Sequence, residues 1–257
     1  MKHLHNLLLT EAVAAAATLT LRAGADIPTP ATFVSAPADR RHAAEAWADS
    51  VMSVLTPLER LEQLIVPRLD LKGDAAGRQA IRRMVTKHHV GGILLGKGTL
   101  ADYVTLINEA QAASKVPLMV TLDGEWGLAM RVSDAPRYPY NMALGAIRDK
   151  RLLYEYGREV GRECRAAGIN VDFAPVLDVN SNPANPVIGM RSFGEVPQRV
   201  AESGVAFSKG MESEGVLSVA KHFPGHGNTA TDSHKALPRI NDSRKVIDKT
   251  DLPPFKS

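Results

Sequence analysis

The feature that most constrains this chain is an alternation repeated five times: a short apolar run, a polar glycine-rich segment, then a stretch with helical spacing. The runs are Leu64-Ile65-Val66, residues 90–96 (VGGILLG), residues 116–122 (VPLMVTL), residues 169–175 and a run from Val216. Short continuous apolar runs bounded by glycine fit strands of a parallel sheet buried on both faces. Intervening helices make right-handed crossovers, and the polar segments then collect at the C-terminal edge of the strands. Helix signals punctuate the alternation. Thr56-Pro57-Leu58-Glu59 is a capping box with proline at the first helical position, Thr99 and Asp149 stand before amphipathic stretches, and Gly168 follows one. Helices are expected over 43–55, 77–89 and 195–214, and one bearing Leu153, Tyr156, Val160 and Cys164 on one stripe. The fold class is therefore α/β with a parallel sheet, and the number of alternations favours a (β/α)8 TIM-barrel type, of which the chain would be a fragment truncated after about five strands. On the residues alone, an open parallel sheet is the alternative.

Residues 1–25 resemble a secretory signal peptide, with Lys2 and His3 at the front, an apolar stretch from Leu7 to Leu21 and Ala23-Gly24-Ala25 as the cleavage pattern. Export to the periplasm or outside is the expectation; Glu11, a charge inside the apolar stretch, leaves a cytoplasmic location as the alternative. Residues 26–41, with Pro28, Pro30 and Pro37, read as a linker, and residues 42–257 as a partial barrel domain. No other window has the length of apolar chain that a membrane span needs. The 44% hydrophobic content supports a sizeable core, and a net charge of +3 with lysine and arginine scattered among acids leaves no nucleic-acid footprint. The single cysteine, Cys164, excludes an internal disulfide framework and reads as a small buried hydrophobe.

The densest chemistry lies directly after the last apolar run. Residues 221–234 (KHFPGHGNTATDSH) hold three of the eight histidines with Lys221 and Asp232. Asp232 and His234 can pair through one ring nitrogen, which fixes the tautomer and suits general acid/base work; the alternative is a solvated surface loop. Lys221 and His222, at a strand end, can donate to sugar hydroxyls or phosphate oxygens, or else be a lysine running out to solvent and a core histidine. Asp123 and Asp178 also follow strands. Arg131 and Arg191 can grip oxygens with a planar fork, or lie on the surface. His222, His226, Asp232 and His234 were they helical could hold a metal, but Pro224, Gly225 and Gly227 break that spacing, so no metal and no cofactor is expected.

Lys221-His222-Phe223-Pro224-Gly225-His226-Gly227, followed by Thr229 and Asp232-Ser233-His234, is similar to the signature of the β-N-acetylglucosaminidases (β-N-acetylhexosaminidases) of glycoside hydrolase family 3. Val90-Gly91-Gly92-Ile93, Leu122-Asp123-Gly124-Glu125 with Arg131, Phe173-Ala174-Pro175-Val176-Leu177-Asp178-Val179 and Arg191-Ser192-Phe193-Gly194 extend the resemblance in order over residues 45–257. It implies a (β/α)8 barrel that hydrolyses terminal non-reducing β-N-acetylglucosaminides with retention, through a covalent glycosyl intermediate. It also implies that Asp232 and His234 form the acid/base pair, and that Asp123, Arg131, Arg191, Lys221 and His222 hold the sugar of a GlcNAc-containing glycan or muropeptide. A phosphorylase, or another family 3 β-glycosidase, is the neighbouring activity; a GlcNAc-binding or inert fragment is the non-enzymatic one. The family's nucleophilic aspartate lies on a later strand and has no counterpart here; Asp242, Asp248 and Asp251 read as solvated helix or loop residues. The chain is thus expected to be inactive alone. Trp126 stands where many relatives carry glycine, as rim packing or as a sugar-stacking ring.

Overall fold

The structure is a computed structural model and describes residues 37–232 and 234–257. The expected signal peptide, residues 1–25, lies outside the described residues, as do residues 26–36 of the expected linker. The chain divides into two compact units, the first ending at Val120 and the second running Thr121–Ser257.

In the first unit, helix α1 spans Pro37–Val54. It takes in residues 37–41, which the proline content assigns to the linker; proline is tolerated in a first helical turn, where its missing N–H has no partner to lose. Helix α2 (Pro57–Glu62) starts on the capping box read from the sequence: Thr56 Oγ1 accepts from Glu59 N at 3.3 Å, and Glu59 Oε2 accepts from Thr56 N at 2.7 Å. Strand β1 is Arg68–Leu69, not the expected Leu64-Ile65-Val66. The amides of Leu64 and Ile65 are spent on the turn that closes α2, bonding Leu61 O and Glu62 O, and Leu64 is 80% exposed. Helix α3 (Ala75–Lys87), strand β2 (Gly92–Leu95) and helix α4 (Leu100–Ala113) follow. Thr99 caps α4 and Tyr103, Leu106, Ile107 and Ala110 form its buried stripe, as its spacing predicts. Strands β1 and β2 pair in parallel, and Gly91 O accepts from the amide of Met119, where strand β3 (Met119–Leu122) begins. Val51, Leu55 and Val116 make a small buried cluster against Trp47.

In the second unit, the end of β3 pairs in parallel with strand β4 (Val171–Asp172), and β4 with strand β5 (Leu217–Ser218). Both β4 and β5 are shorter than the apolar runs that contain them. Helix α5 (Asn141–Gly145) precedes helix α6 (Lys150–Ala166), which Asp149 caps by accepting from Arg151 N and which ends before Gly168 at φ 83°. Helix α7 (Pro197–Ser213) packs along α6. Their backbones come so close that a Cβ on Gly157 would lie 2.2 Å from Phe207 O, and one on Gly210 2.1 Å from Tyr154 O. Glycine at these helical positions costs about 1 kcal/mol each, but the approach lets Leu153, Val160, Phe207 and Met211 bury completely, worth about 1.5–3 kcal/mol apiece. Cys164 is buried in the same stripe. Two short helices, α8 (Arg244–Thr250) and α9 (Pro253–Lys256), close the chain. No helix of the described residues is long and apolar enough to cross a membrane.

Candidate active site

Three segments leave the C-terminal ends of β3, β4 and β5, and their side chains meet within the second unit. Asp123 and Glu125 follow β3. Lys221, just after β5, donates from Nζ to Asp123 Oδ1 at 2.7 Å and lies 2.8 Å from Glu125 Oε1. Arg131 returns to the same carboxyl group, bonding Asp123 Oδ2 and, from Nε at 3.1 Å, the carbonyl of Asp123. Arg191 forks onto Glu125, Nε to Oε2 at 2.8 Å and Nη2 to Oε1 at 2.6 Å. A third donor of Arg191, Nη1, bonds Val187 O at 3.1 Å. Three cations thus hold two carboxylates in a continuous chain. Ion pairs removed from water are sustained only when each partner is this fully bonded.

Burial by itself would discourage ionisation of Asp123 and Glu125. For Asp123 the charge and hydrogen bond of Lys221, with Arg131, outweigh burial; for Glu125 the Arg191 bonds and Lys221 do so, and both carboxyls sit below their ordinary range. Burial likewise opposes the charge on Arg191, and Glu125 more than restores it. Asp172, at the end of β4 and completely buried, is bonded to no cation among the described residues. Its Oδ1 accepts from Gly124 N at 2.9 Å, while Oδ2 has no partner among the described residues. Burial therefore dominates and raises it to about 7, against the weaker opposing pull of the Gly124 amide and Lys221.

Asp178, also fully buried, ties the β5 segment to the β4 segment. Its Oδ2 lies 2.5 Å from His222 Nδ1 and accepts from His222 N at 3.2 Å, and its Oδ1 accepts from His226 N at 2.6 Å. Its carbonyl accepts from Ser192 Oγ at 2.6 Å. The opposite ring nitrogen of His222, Nε2, lies 3.2 Å from Arg191 Nη2. Farther along, Asn185 Nδ2 bonds the carbonyls of His226 at 2.8 Å and Gly227 at 3.1 Å. Gly227 runs against the β4 exit so tightly that a Cβ there would be 1.7 Å from Val179 O. His226 is buried and turned toward Thr229, and the described residues contain no group of three His, Cys, Asp or Glu side chains arranged as metal ligands.

The second histidine pair is separate. His234 Nδ1 lies 2.8 Å from Asp232 Oδ1, which also accepts from the His234 amide at 2.9 Å. These two bonds, the backbone one foremost, hold the Asp232 carboxyl below its ordinary range. The His234 side chain is 77% exposed, and among the described residues the pair makes no hydrogen bond to the ion-pair chain.

The residues singled out in sequence therefore fall into two groups: Asp123, Arg131, Arg191, Lys221 and His222 in one bonded network, and Asp232 with His234 in another. The network also contains Glu125 and Asp178, absent from the expected sugar-holding set. Glu125 was visible two residues beyond Asp123, and Asp172 as a lone acid inside an apolar run. Trp126 packs edge-on against Tyr140, with ring centroids 4.7 Å apart, which is the packing alternative. Asp251 departs from the solvated role expected of it: it is buried against Gly225, and burial, reinforced by Asp242 and Asp178, raises it to about 6.

The description "Glycosyl hydrolase family 3 N terminal domain" matches residues 57–257. The chain is 39% identical over 188 residues to beta-hexosaminidase A of Pseudoalteromonas piscicida, covering 68% of this chain and 31% of that protein. It is 39% identical over 209 residues to beta-hexosaminidase LpqI of Mycobacterium tuberculosis, covering 80% of this chain and 52% of the relative. Among solved structures, a family 3 β-N-acetylglucosaminidase from a Paenibacillus species superposes with a TM-score of 0.71 at 38% identity, over 79% of this chain and 40% of that one. The chain thus spans about half the length, or less, of these relatives. The fold is the α/β barrel type of those neighbours, represented here by five parallel strands. With the profile, the relatives and the strand-end arrangement in agreement, the chain belongs to glycosyl hydrolase family 3, whose N-terminal domain it carries at residues 57–257.

Proposed function

We propose that this chain carries the sugar-holding and proton-transfer residues of a retaining enzyme that hydrolyses terminal non-reducing β-N-acetylglucosaminides, in a GlcNAc-containing glycan or muropeptide. The observation that carries the reading is Lys221 bridging Asp123 and Glu125, with Arg191 forked onto Glu125. Such a cluster presents fixed N–H donors and carboxylate acceptors together, the combination that orients sugar hydroxyls and an acetamido oxygen. His234, its Nδ1 side directed to Asp232, leaves Nε2 for proton transfer. In the first step the glycosidic C–O bond breaks, His234 gives its proton to the departing oxygen, and a carboxylate forms the glycosyl ester. In the second, His234 takes a proton from water as water cleaves that ester.

Asp123 and Glu125 are held by cations, Asp178 by His222 and two amides, and Asp172 by burial and the Gly124 amide. Asp172 Oδ2 is unpartnered among the described residues, but the group is fully buried and inclined to stay protonated. None of these four therefore offers an accessible free carboxylate for attack, which supports a nucleophile supplied from outside these 257 residues. The chain by itself should then bind GlcNAc without turnover. The test is an aryl β-N-acetylglucosaminide series on the full-length protein. His234→Ala should slow a poor leaving group by about 100-fold or more and spare a leaving group that needs no protonation. Equal loss across the series would end the general-acid role. Turnover by the purified 257-residue chain would end the external-nucleophile reading. A glycosyl phosphate product in added phosphate would assign phosphorolysis instead.

A further inference from the structure

We propose that Asp178 is a positioning residue that locks His222 in its neutral Nδ1–H tautomer, so that the ring becomes a fixed acceptor for Arg191 and has no proton to donate. Arg191 is a guanidinium with donors only. One Nη2 hydrogen goes to Glu125 Oε1 at 2.6 Å, and the other faces His222 Nε2 at 3.2 Å. Nε2 must therefore present its lone pair. On the far side, Asp178 Oδ2 lies 2.5 Å from Nδ1, and a carboxylate there requires that Nδ1 carry the hydrogen. A doubly protonated ring would set N–H against N–H at Arg191, and the Nε2–H tautomer would fail at both nitrogens. The His226 ring, another neighbour, stands edge-on at 6.2 Å between centroids and bonds elsewhere, to Thr229.

The same carboxyl group fixes the backbone that carries the ring, through the amides of His222 and His226, while Ser192 fastens the segment after Arg191 to the Asp178 carbonyl. Asp178 thus sets both the placement and the protonation of His222, and through His222 the pose of the guanidinium that grips Glu125. A change at Asp178 is transmitted to Arg191 and Lys221 without any contact between Asp178 and a sugar. The bearing of this lock on sugar binding rests on the function proposed above; the tautomer itself does not.

The experiment is a long-range 15N–1H correlation spectrum of the ¹⁵N-histidine-labelled chain at neutral pH, with His222 assigned by its loss in His222→Asn. The expected pattern is a protonated Nδ1 and an unprotonated Nε2. Asp178→Asn, whose amide can turn its NH2 toward Nδ1, should shift His222 to the Nε2–H form or to a mixture. Arg191→Met, which removes the donor facing Nε2, should displace the Nε2 ¹⁵N signal while Nδ1 keeps its hydrogen. An Nε2–H or doubly protonated His222 in the unaltered chain overturns the proposal, and so does an unchanged tautomer in a folded Asp178→Asn protein. Should Asp178→Asn fail to fold, the unaltered chain and Arg191→Met still decide. GlcNAc titrated into the same sample separates the two readings: absence of binding with the expected tautomer would remove the proposed function and leave the lock standing.

Discussion

Two aspartate-histidine pairs involve the segment that follows β5, and they differ in what each imidazole leaves open. In both, a carboxylate oxygen faces Nδ1, at 2.5 Å for Asp178 and His222 and at 2.8 Å for Asp232 and His234. What differs is the other nitrogen. Nε2 of His222 is taken by Arg191 and its carboxylate is buried, whereas the His234 side chain is 77% exposed. An imidazole closed at both nitrogens can only hold geometry; one closed at Nδ1 alone can exchange a proton. The pairing of residue types therefore says little about role until the second nitrogen is accounted for.

The comparison can be broken most forcefully by exchanging the expected losses. In the full-length protein, His234→Ala should reduce hydrolysis of an unactivated β-N-acetylglucosaminide by about 10²–10⁴-fold while leaving the urea unfolding midpoint unchanged. A displaced midpoint would mean that His234 is structural after all. Asp178→Ala should do the reverse to stability. It strands the His222 and His226 amides and His222 Nδ1 without their acceptor, which costs about 1–3 kcal/mol per buried group, read from urea unfolding at neutral pH. A loss under about 1 kcal/mol would show that the segment does not depend on this residue.

Asp172 sharpens the contrast because it is buried like Asp178 but has no imidazole. Its carboxyl is raised to about 7 in the folded chain, above the unfolded value near 4, so the folded state binds the extra proton between those pH values. The stability this group contributes is present below about pH 4 and is lost as pH rises through about 7. Asp172→Asn keeps an acceptor for the Gly124 amide and has no carboxyl to ionise, so its stability relative to the unaltered chain should rise by a few kcal/mol at most over that window. A pH-independent difference in urea unfolding would place the titration elsewhere. The smallest effect is expected for Asp232→Asn, with no measurable change in the unfolding midpoint but a weaker hold on the His234 tautomer, visible in the same ¹⁵N spectrum used for His222.

Much of the fold was legible because its signals are local. The capping box at Thr56, the caps at Thr99 and Asp149 and the glycine after α6 each depend on groups within a few residues, and all are found where the sequence places them. Strand limits were less legible. Leu64-Ile65-Val66 has the composition of a strand, but its first amides complete a helical turn, and although the carbonyl of Ile65 accepts from Gly91 N, the strand register begins at Arg68. The buried position of Asp251 was hidden for a related reason: its surroundings are supplied by Gly225, distant along the chain.

The sequence by itself determined the family through its ordered motifs, the alternation that makes parallel strands, and the Asp232–His234 pair, whose bonds close over two residues. Only the tertiary structure decided that Lys221 bridges Asp123 and Glu125, that Glu125 belongs to Arg191, and that Asp178 belongs to His222. Those bonds join residues 44 to 98 positions apart. Backbone geometry restricts which groups can meet over two or three residues, but over such distances the partner is set by which strand ends the sheet brings together.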